Sequence, residues 1–121
     1  MPLILIVDDS PTEVHAMKTI LERHGYQIVS AAEGAEGYEK ARQLKPDLIF
    51  MDVVMPGVNG FQATRKLASD PDTKQIPVVM VTSKDQETDR IWGMRQGAID
   101  YLIKPVSAEV LLSKARSALV S

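Results

Sequence analysis

The stretch Leu48-Ile49-Phe50-Met51-Asp52 decides the fold: four consecutive apolar residues end abruptly on one carboxylate. An apolar run this short, with no polar alternation, reads as a strand buried on both faces. Strands of that kind belong to parallel sheets, whose ligands bind beyond the carboxyl ends of the strands. Asp52 stands at such an end, and Met55-Pro56-Gly57 turns the chain away behind it.

The same pattern repeats on either side. Leu3-Ile4-Leu5-Ile6-Val7 is apolar throughout and runs into Asp8-Asp9. Ser10-Pro11-Thr12 then starts a helix, with Ser10 or Thr12 as its cap, and Val14, Met17, Ile20 and Leu21 recur at helical spacing. Gly25 stops that helix, and Tyr26 to Ser30 forms a weaker strand. Ala35 to Leu44 is a helix with Ala35, Tyr38 and Ala41 on one face, ended by Pro46. After Pro56-Gly57, a helix beginning at Asn59 or Gly60 carries Phe61, Ala63, Leu67 and Ala68; Asp70-Pro71-Asp72 is a loop. Ile76 to Val81 is the fourth strand, with Pro77 tolerable at its start, and it ends in Thr82-Ser83. Asp85 to Gln96 is a polar helix, expected to turn Ile91 and Met94 inward and closed by Gly97. Gly93 weakens it by about 1 kcal/mol relative to alanine. Ala98 to Ile103 is the fifth strand, followed by Lys104-Pro105, and Ser107 caps a last helix burying Val110, Leu111, Ala115, Ala118 and Leu119. Strict alternation of strands and helices means parallel pairing through right-handed crossovers, with helices on both faces of the sheet.

Composition bounds the answer. The 121 residues suit one domain with its own core, and 45% hydrophobic with 25% charged residues is ordinary for a globular chain. A net charge of -2, with no basic stripe, gives no nucleic-acid footprint. The absence of cysteine excludes disulfides and thiolate metal sites. No apolar run reaches spanning length, and Leu3 to Val7 is too short for a signal-peptide core, so a cytoplasmic protein without membrane insertion is expected.

Four strands therefore end in polar residues that the core does not need: Asp8 and Asp9, Asp52, Thr82 and Ser83, and Lys104. A parallel sheet gathers these ends at one edge. If the first and third strands are neighbours, three carboxylates converge at the switch point. Together they repel, and a hard divalent cation such as Mg²⁺, which prefers oxygen ligands, resolves the conflict. A lysine suits phosphate, and a hydroxyl can donate to a phosphoryl oxygen. The set fits phosphoryl transfer to an aspartate.

In order and spacing, Asp8-Asp9, Asp52, Met55-Pro56-Gly57, Thr82 and Lys104-Pro105 resemble the receiver domains of two-component response regulators over the whole chain. Asp8 to Glu13, Gly60 to Arg65 and Lys84 to Asp89 further resemble the PilH-type receivers of type IV pilus and twitching-motility systems. The resemblance implies an α/β, CheY-like (βα)5 fold with strand order 2-1-3-4-5, and residues 1–121 as a single receiver without an output domain. It implies that Asp52 accepts a phosphoryl group from a histidine kinase. Asp9 would ligate Mg²⁺ directly, Asp8 mainly through water, and the Val54 backbone carbonyl would add a ligand. Thr82 would turn toward the phosphoryl group, Lys104 would pair with it, and Lys104-Pro105 would be a cis peptide. Tyr101 occupies the aromatic switch position, whose inward movement reshapes the surface of the fourth helix, fifth strand and fifth helix for a protein target. The side chains of Val54 and Lys84 would flank the attacking water in dephosphorylation, where Val54 cannot orient it by hydrogen bonding. The expected activity is limited to self-phosphorylation and slow self-dephosphorylation, not turnover of a substrate.

Plainer readings stand beside these. Asp8-Asp9 could serve the dipole of the following helix, Thr82-Ser83 could cap the next one, and Tyr101 could be simple half-buried packing. Trp92 is either a partly buried ring or part of a partner surface, and His15 and His24 are solvated residues of the first helix. A Mg²⁺-dependent hydrolase with an aspartyl nucleophile is the alternative function. Against it, the nucleophile follows the third strand, and no cap or substrate pocket fits in a chain of this length. A flavodoxin-like cofactor binder would need a phosphate loop where Asp8-Asp9 instead repels anions.

Overall fold

The computed structural model describes residues 1–120. Five strands alternate with five helices: β1 (Leu3–Val7), α1 (Pro11–Glu22), β2 (Gln27–Ala31), α2 (Gly34–Leu44), β3 (Leu48–Met51), α3 (Gly60–Ser69), β4 (Val78–Thr82), α4 (Glu87–Gln96), β5 (Asp100–Ile103) and α5 (Ala108–Leu119). All pairings are parallel, in the order β2-β1-β3-β4-β5, as the resemblance implied.

The continuous apolar strands are explained by burial on both faces. Ile4, Ile6, Phe50, Val79, Val81 and Leu102 point to one side, where Met17 and Leu21 of α1 and Leu111, Leu112 and Ala115 of α5 cover them. Leu5, Val7, Ile49, Met51 and Val78 point to the other, under Ala41 of α2 and Ala63 and Leu67 of α3. A smaller cluster of Val53, Met80, Ala98 and Tyr101, with Phe61 against it, fills the space toward α4.

The caps follow from local chemistry. Ser10, not Thr12, caps α1, its hydroxyl accepting from the Glu13 N–H, with Pro11 in the first turn where no donor is needed. Asn59 and Gln62 form a reciprocal capping box at the start of α3, and Ser107 caps α5. Gly25, with φ at 89°, makes the left-handed turn after α1.

Several helix faces differ from expectation. In α2, Gly34, Gly37 and Ala41 are buried and Ala35 is exposed, because α2 packs so closely on β1 that a Cβ at Gly37 would lie 2.7 Å from a Val7 methyl. Ala68 is exposed, and so is Val110, whose expected place in the core is taken by Leu112. The largest correction is in α4. Ile91 and Met94 face outward, and the inward residues are Gly93 and Gln96. At Gly93 the helix lies too near Met80 of β4 and Tyr101 of β5 to admit a side chain.

Asn59→Ala removes the side-chain half of the α3 capping box and leaves an orphan N–H. A loss of about 1 kcal/mol is expected in urea unfolding, with an unchanged dependence on urea concentration.

Candidate functional site

Register decides which side chains meet. Val7 pairs with Met51, so the residues that follow them, Asp8 and Asp52, leave adjacent strands at the same level. The Asp52 N–H donates to the Val7 carbonyl at 2.9 Å, continuing the ladder by one step. Thr82 pairs with Ile103, and the Lys104 N–H donates to the Thr82 carbonyl at 2.8 Å. Asp8, Asp52, Thr82 and Lys104 thus emerge from four strands at one edge of the sheet.

Lys104 closes the group. Its Nζ lies 2.8 Å from Asp8 Oδ2 and 3.7 Å from Asp52 Oδ2. Asp8 Oδ1 accepts the Ser10 N–H at 2.9 Å, and Asp52 Oδ1 accepts the Val53 N–H at 2.8 Å. Asp8 and Asp52 are buried, whereas Asp9 is exposed. One carboxylate oxygen from each of the three aspartates lies within 4.8 Å of the others. One ammonium faces three carboxylates, an all-oxygen donor set of the kind a hard divalent cation takes. Val54, two residues past Asp52, is 55% exposed. The Lys104-Pro105 peptide is cis.

The electrostatics follow. Burial raises the pKa of Asp52 above the usual carboxylate value, and the Asp8 charge adds to this; Lys104, the Val53 N–H and the nearby Thr82 hydroxyl pull the other way. For Lys104, burial disfavours the ammonium, but the Asp8 hydrogen bond and the charges of Asp52, Asp8 and Glu13 outweigh it and leave the pKa raised.

A second arrangement links this edge to α4. Thr82 is fully buried, and its hydroxyl accepts the Lys84 N–H at 3.3 Å. The Lys84 carbonyl accepts the Tyr101 hydroxyl at 2.8 Å. One residue's main chain therefore joins the two side chains. The Tyr101 ring is 3% exposed, and burial, helped by the charges of Asp89, Asp52 and Asp85, pushes its pKa up to about 12. Arg90 Nη1 donates to the Tyr101 carbonyl at 3.4 Å. Beyond the ring, Ile91, Trp92, Ile99, Ile103 and Val110 expose apolar surface on α4, β5, α5 and the turn before β5; Trp92 is 48% exposed. His15 and His24 are exposed on or just beyond α1.

Two glycines matter here for contacts that the residue pattern alone does not reveal. A Cβ on Gly60 would lie 2.1 Å from the Asp52 carbonyl oxygen and 2.7 Å from Val53 Cα. Only glycine lets the first turn of α3 sit directly behind the residue that carries the central carboxylate. Gly93 approaches Met80 and Tyr101 in the same way. A helix-starting glycine and a mid-helix glycine carry no sign of such contacts in one sequence.

A doubly wound parallel sheet with an acidic, lysine-bridged cluster at its switch point defines the class of CheY-like α/β signalling domains. The chain belongs to the response regulator receiver domain family, whose pattern matches residues 4–116. It is 57% identical over 119 residues to Protein PilH of Pseudomonas aeruginosa, covering 98% of both chains. It is 42% identical to the DNA-binding dual master transcriptional regulator RpaA of a Synechocystis species, covering 98% of this chain but 49% of that one. Among solved structures, a putative response regulator from Chloroflexus aurantiacus superimposes with a TM-score of 0.95 at 31% identity, over 99% of this chain and 98% of that one. Vibrio cholerae CheY4 gives 0.92 at 31% identity, over 98% and 99%.

The raised Asp52 pKa sets the sign of a pH effect. The unfolded chain gives up this proton at lower pH than the folded one, so the group's contribution favours folding in acid. That contribution is lost as pH rises through the folded pKa. Asp52→Asn removes the penalty, and its melting midpoint is expected a few degrees above the parent at pH 7. The gain should vanish below the usual carboxylate range, where Asp52 is protonated in both states. A gain that persists there would contradict the assignment.

Proposed function

We propose that this chain is a phosphorylation-controlled switch in which Asp52 takes a phosphoryl group from the phosphohistidine of a histidine kinase. The observation that carries this reading is the Lys104 ammonium held between Asp8 and Asp52, 2.8 and 3.7 Å from their oxygens, at the switch point. A structural ion pair would need only one carboxylate. A lysine shared by two, beside a third, suits a site built to gain further negative charge.

Asp8, Asp9 and Asp52, with the Val54 carbonyl, would hold Mg²⁺; the three carboxylates offer an oxygen set of the right hardness and charge. Bound there, the cation would supply charge neutralisation for the incoming phosphoryl group. In the transfer, an Asp52 carboxylate oxygen forms a bond to phosphorus as the donor's P–N bond breaks, and the imidazole leaves with that electron pair. Lys104 pairs with the transferred group. Thr82 donates its hydroxyl to it, and the Thr82–Lys84–Tyr101 connection passes the change to α4. The receiving surface is the exposed apolar face of α4, β5 and α5, where a protein target would dock.

The likeness to PilH supports a place in type IV pilus or twitching-motility signalling, with effect exerted by protein contact or by drawing phosphoryl groups from a shared kinase. No helix among the described residues is long and apolar enough to cross a membrane, in keeping with a cytoplasmic site of action. Self-phosphorylation and slow self-dephosphorylation would be the only chemistry.

Incubation with Mg²⁺ and acetyl phosphate should add one phosphoryl group by intact mass, stable in acid and labile in base, and absent from Asp52→Asn. No adduct, or one retained in the variant, refutes the reading. Steady release of phosphate from simple phosphate esters would support a hydrolase instead. Mg²⁺ alone should change Trp92 fluorescence only weakly, because that ring is half exposed on α4, away from the carboxylates; strong quenching would contradict this placement.

A further inference from the structure

We propose that Gly93 is a positioning residue for Tyr101: its missing side chain is what allows the ring to lie beneath α4, and it sets the balance between ring-in and ring-out arrangements. This rests on the switch role proposed for Tyr101 and assigns the device that controls it.

Gly93 sits in the middle of α4, where glycine costs roughly 0.5–1 kcal/mol relative to alanine. Nothing in the helix itself requires it: its φ is not in the left-handed region, and no cap or turn falls there. The reason lies across the interface. A Cβ at this position would stand 2.7 Å from Met80 Sδ, 3.1 Å from Tyr101 Cδ2 and 3.3 Å from Tyr101 Cε2. All three distances are tighter than ordinary carbon contacts, which settle at about 3.5–4.0 Å. Met80 is fully buried on β4, between β3 and β5, but its Sδ is the far end of a flexible side chain and can move aside. Tyr101 is different: it is the second residue of the edge strand β5, and its rigid ring must give by a few tenths of an ångström. It is anchored inward by one hydrogen bond from its hydroxyl to the Lys84 carbonyl. An added methyl group therefore presses on the ring and favours arrangements in which it has moved away from α4.

The consequence reaches the phosphoacceptor edge. The Lys84 main chain that receives the Tyr101 hydroxyl also donates to Thr82. Driving the ring out frees that carbonyl and loosens the tie between Thr82 and α4. Gly93 thus holds the fourth helix close enough to be sensed by the ring, yet open enough to admit it. Helix propensity and ring packing make opposite demands at this one position, and the ring prevails.

The test is a pair of variants with two readouts. In Gly93→Ala, nuclear Overhauser contacts between the Tyr101 ring and the Met80 methyl should weaken or disappear in the protein without phosphodonor. Acetyl phosphate should still add one group at Asp52. The second readout is a thermal double-mutant cycle. Gly93→Ala should lower the melting midpoint when Tyr101 is present and raise it in a Tyr101→Ala background, where the Met80 thioether can turn into the space the ring leaves and the helix preference remains. Should Gly93→Ala alone fail to fold, the gain in the Tyr101→Ala background still decides the matter. Unchanged ring contacts, or the same shift in both backgrounds, would overturn the inference. Failure of Asp52 to accept phosphate in the parent would instead refute the switch reading, leaving the ring contacts as an independent result.

Discussion

Asp8 and Asp52 are buried side by side, and the rest of the structure is arranged to make that tolerable. Parallel pairing of β1 with β3 places them level; burial holds the Asp52 pKa above the ordinary carboxylate value, and the Asp8 charge beside it adds to this. Lys104 is the counterweight, delivered from β5 across the intervening strands by a side chain long enough to reach both. The main-chain donors of Ser10 and Val53 occupy one oxygen of each carboxylate and leave the other turned to the lysine. The conflict is incompletely settled, since one ammonium faces three carboxylates. A cluster left in that condition stores a preference for whatever cationic partner arrives.

That arrangement requires the chain to come very close to itself. The first turn of α3 rests against the Asp52 carbonyl, at a distance only glycine permits, and is fixed from the other direction by the Asn59–Gln62 box. Asp52 is therefore set by its strand, by the Val7 carbonyl and by the helix behind it, so the carboxylate is held in place before any ligand binds. Such rigid support is what a site for group transfer needs, because a small displacement of the reacting oxygen is costly to rate.

Much of this was legible in the residues. β1 and β3 show as unbroken apolar runs because both faces are covered, and their abrupt ends mark where covering stops. The polar residues at those ends have no use in a core, so Asp8, Asp9, Asp52, Thr82 and Lys104 stand out together. What the sequence could not show was how closely the helices pack. Hydropathy assigns the inner face of α4 to Ile91 and Met94, yet Gly93 and Gln96 occupy it, and at Gly93 proximity to Met80 and Tyr101 excludes any side chain. On α2 the reason is related, since the small residues Gly34 and Gly37 mark the face in close contact and Ala35 lies outside it; at Val110 apolar content alone does not separate it from Leu112, which is the buried one. The strand order came from the family resemblance, since alternation alone does not say which strands are neighbours.

Departures from local preference occur elsewhere too, as at Gly37 within α2 and at Lys45 with its positive φ. One set nevertheless falls along a line from Asp52 through Thr82 and Tyr101 to α4: paired buried carboxylates, a glycine in mid-helix, and a half-exposed tryptophan beside the outward Ile91. Each lowers stability taken alone. A fold kept near a threshold can carry a few such features where they serve another end. Their alignment is the argument that they belong together: charge enters at one end of the line, apolar surface stands at the other, and the Lys84 main chain connects the buried hydroxyls between them. On the proposed reading, a change at the carboxylates need alter only how the Tyr101 ring packs against α4, because close-packed interfaces shift between discrete arrangements rather than deform continuously.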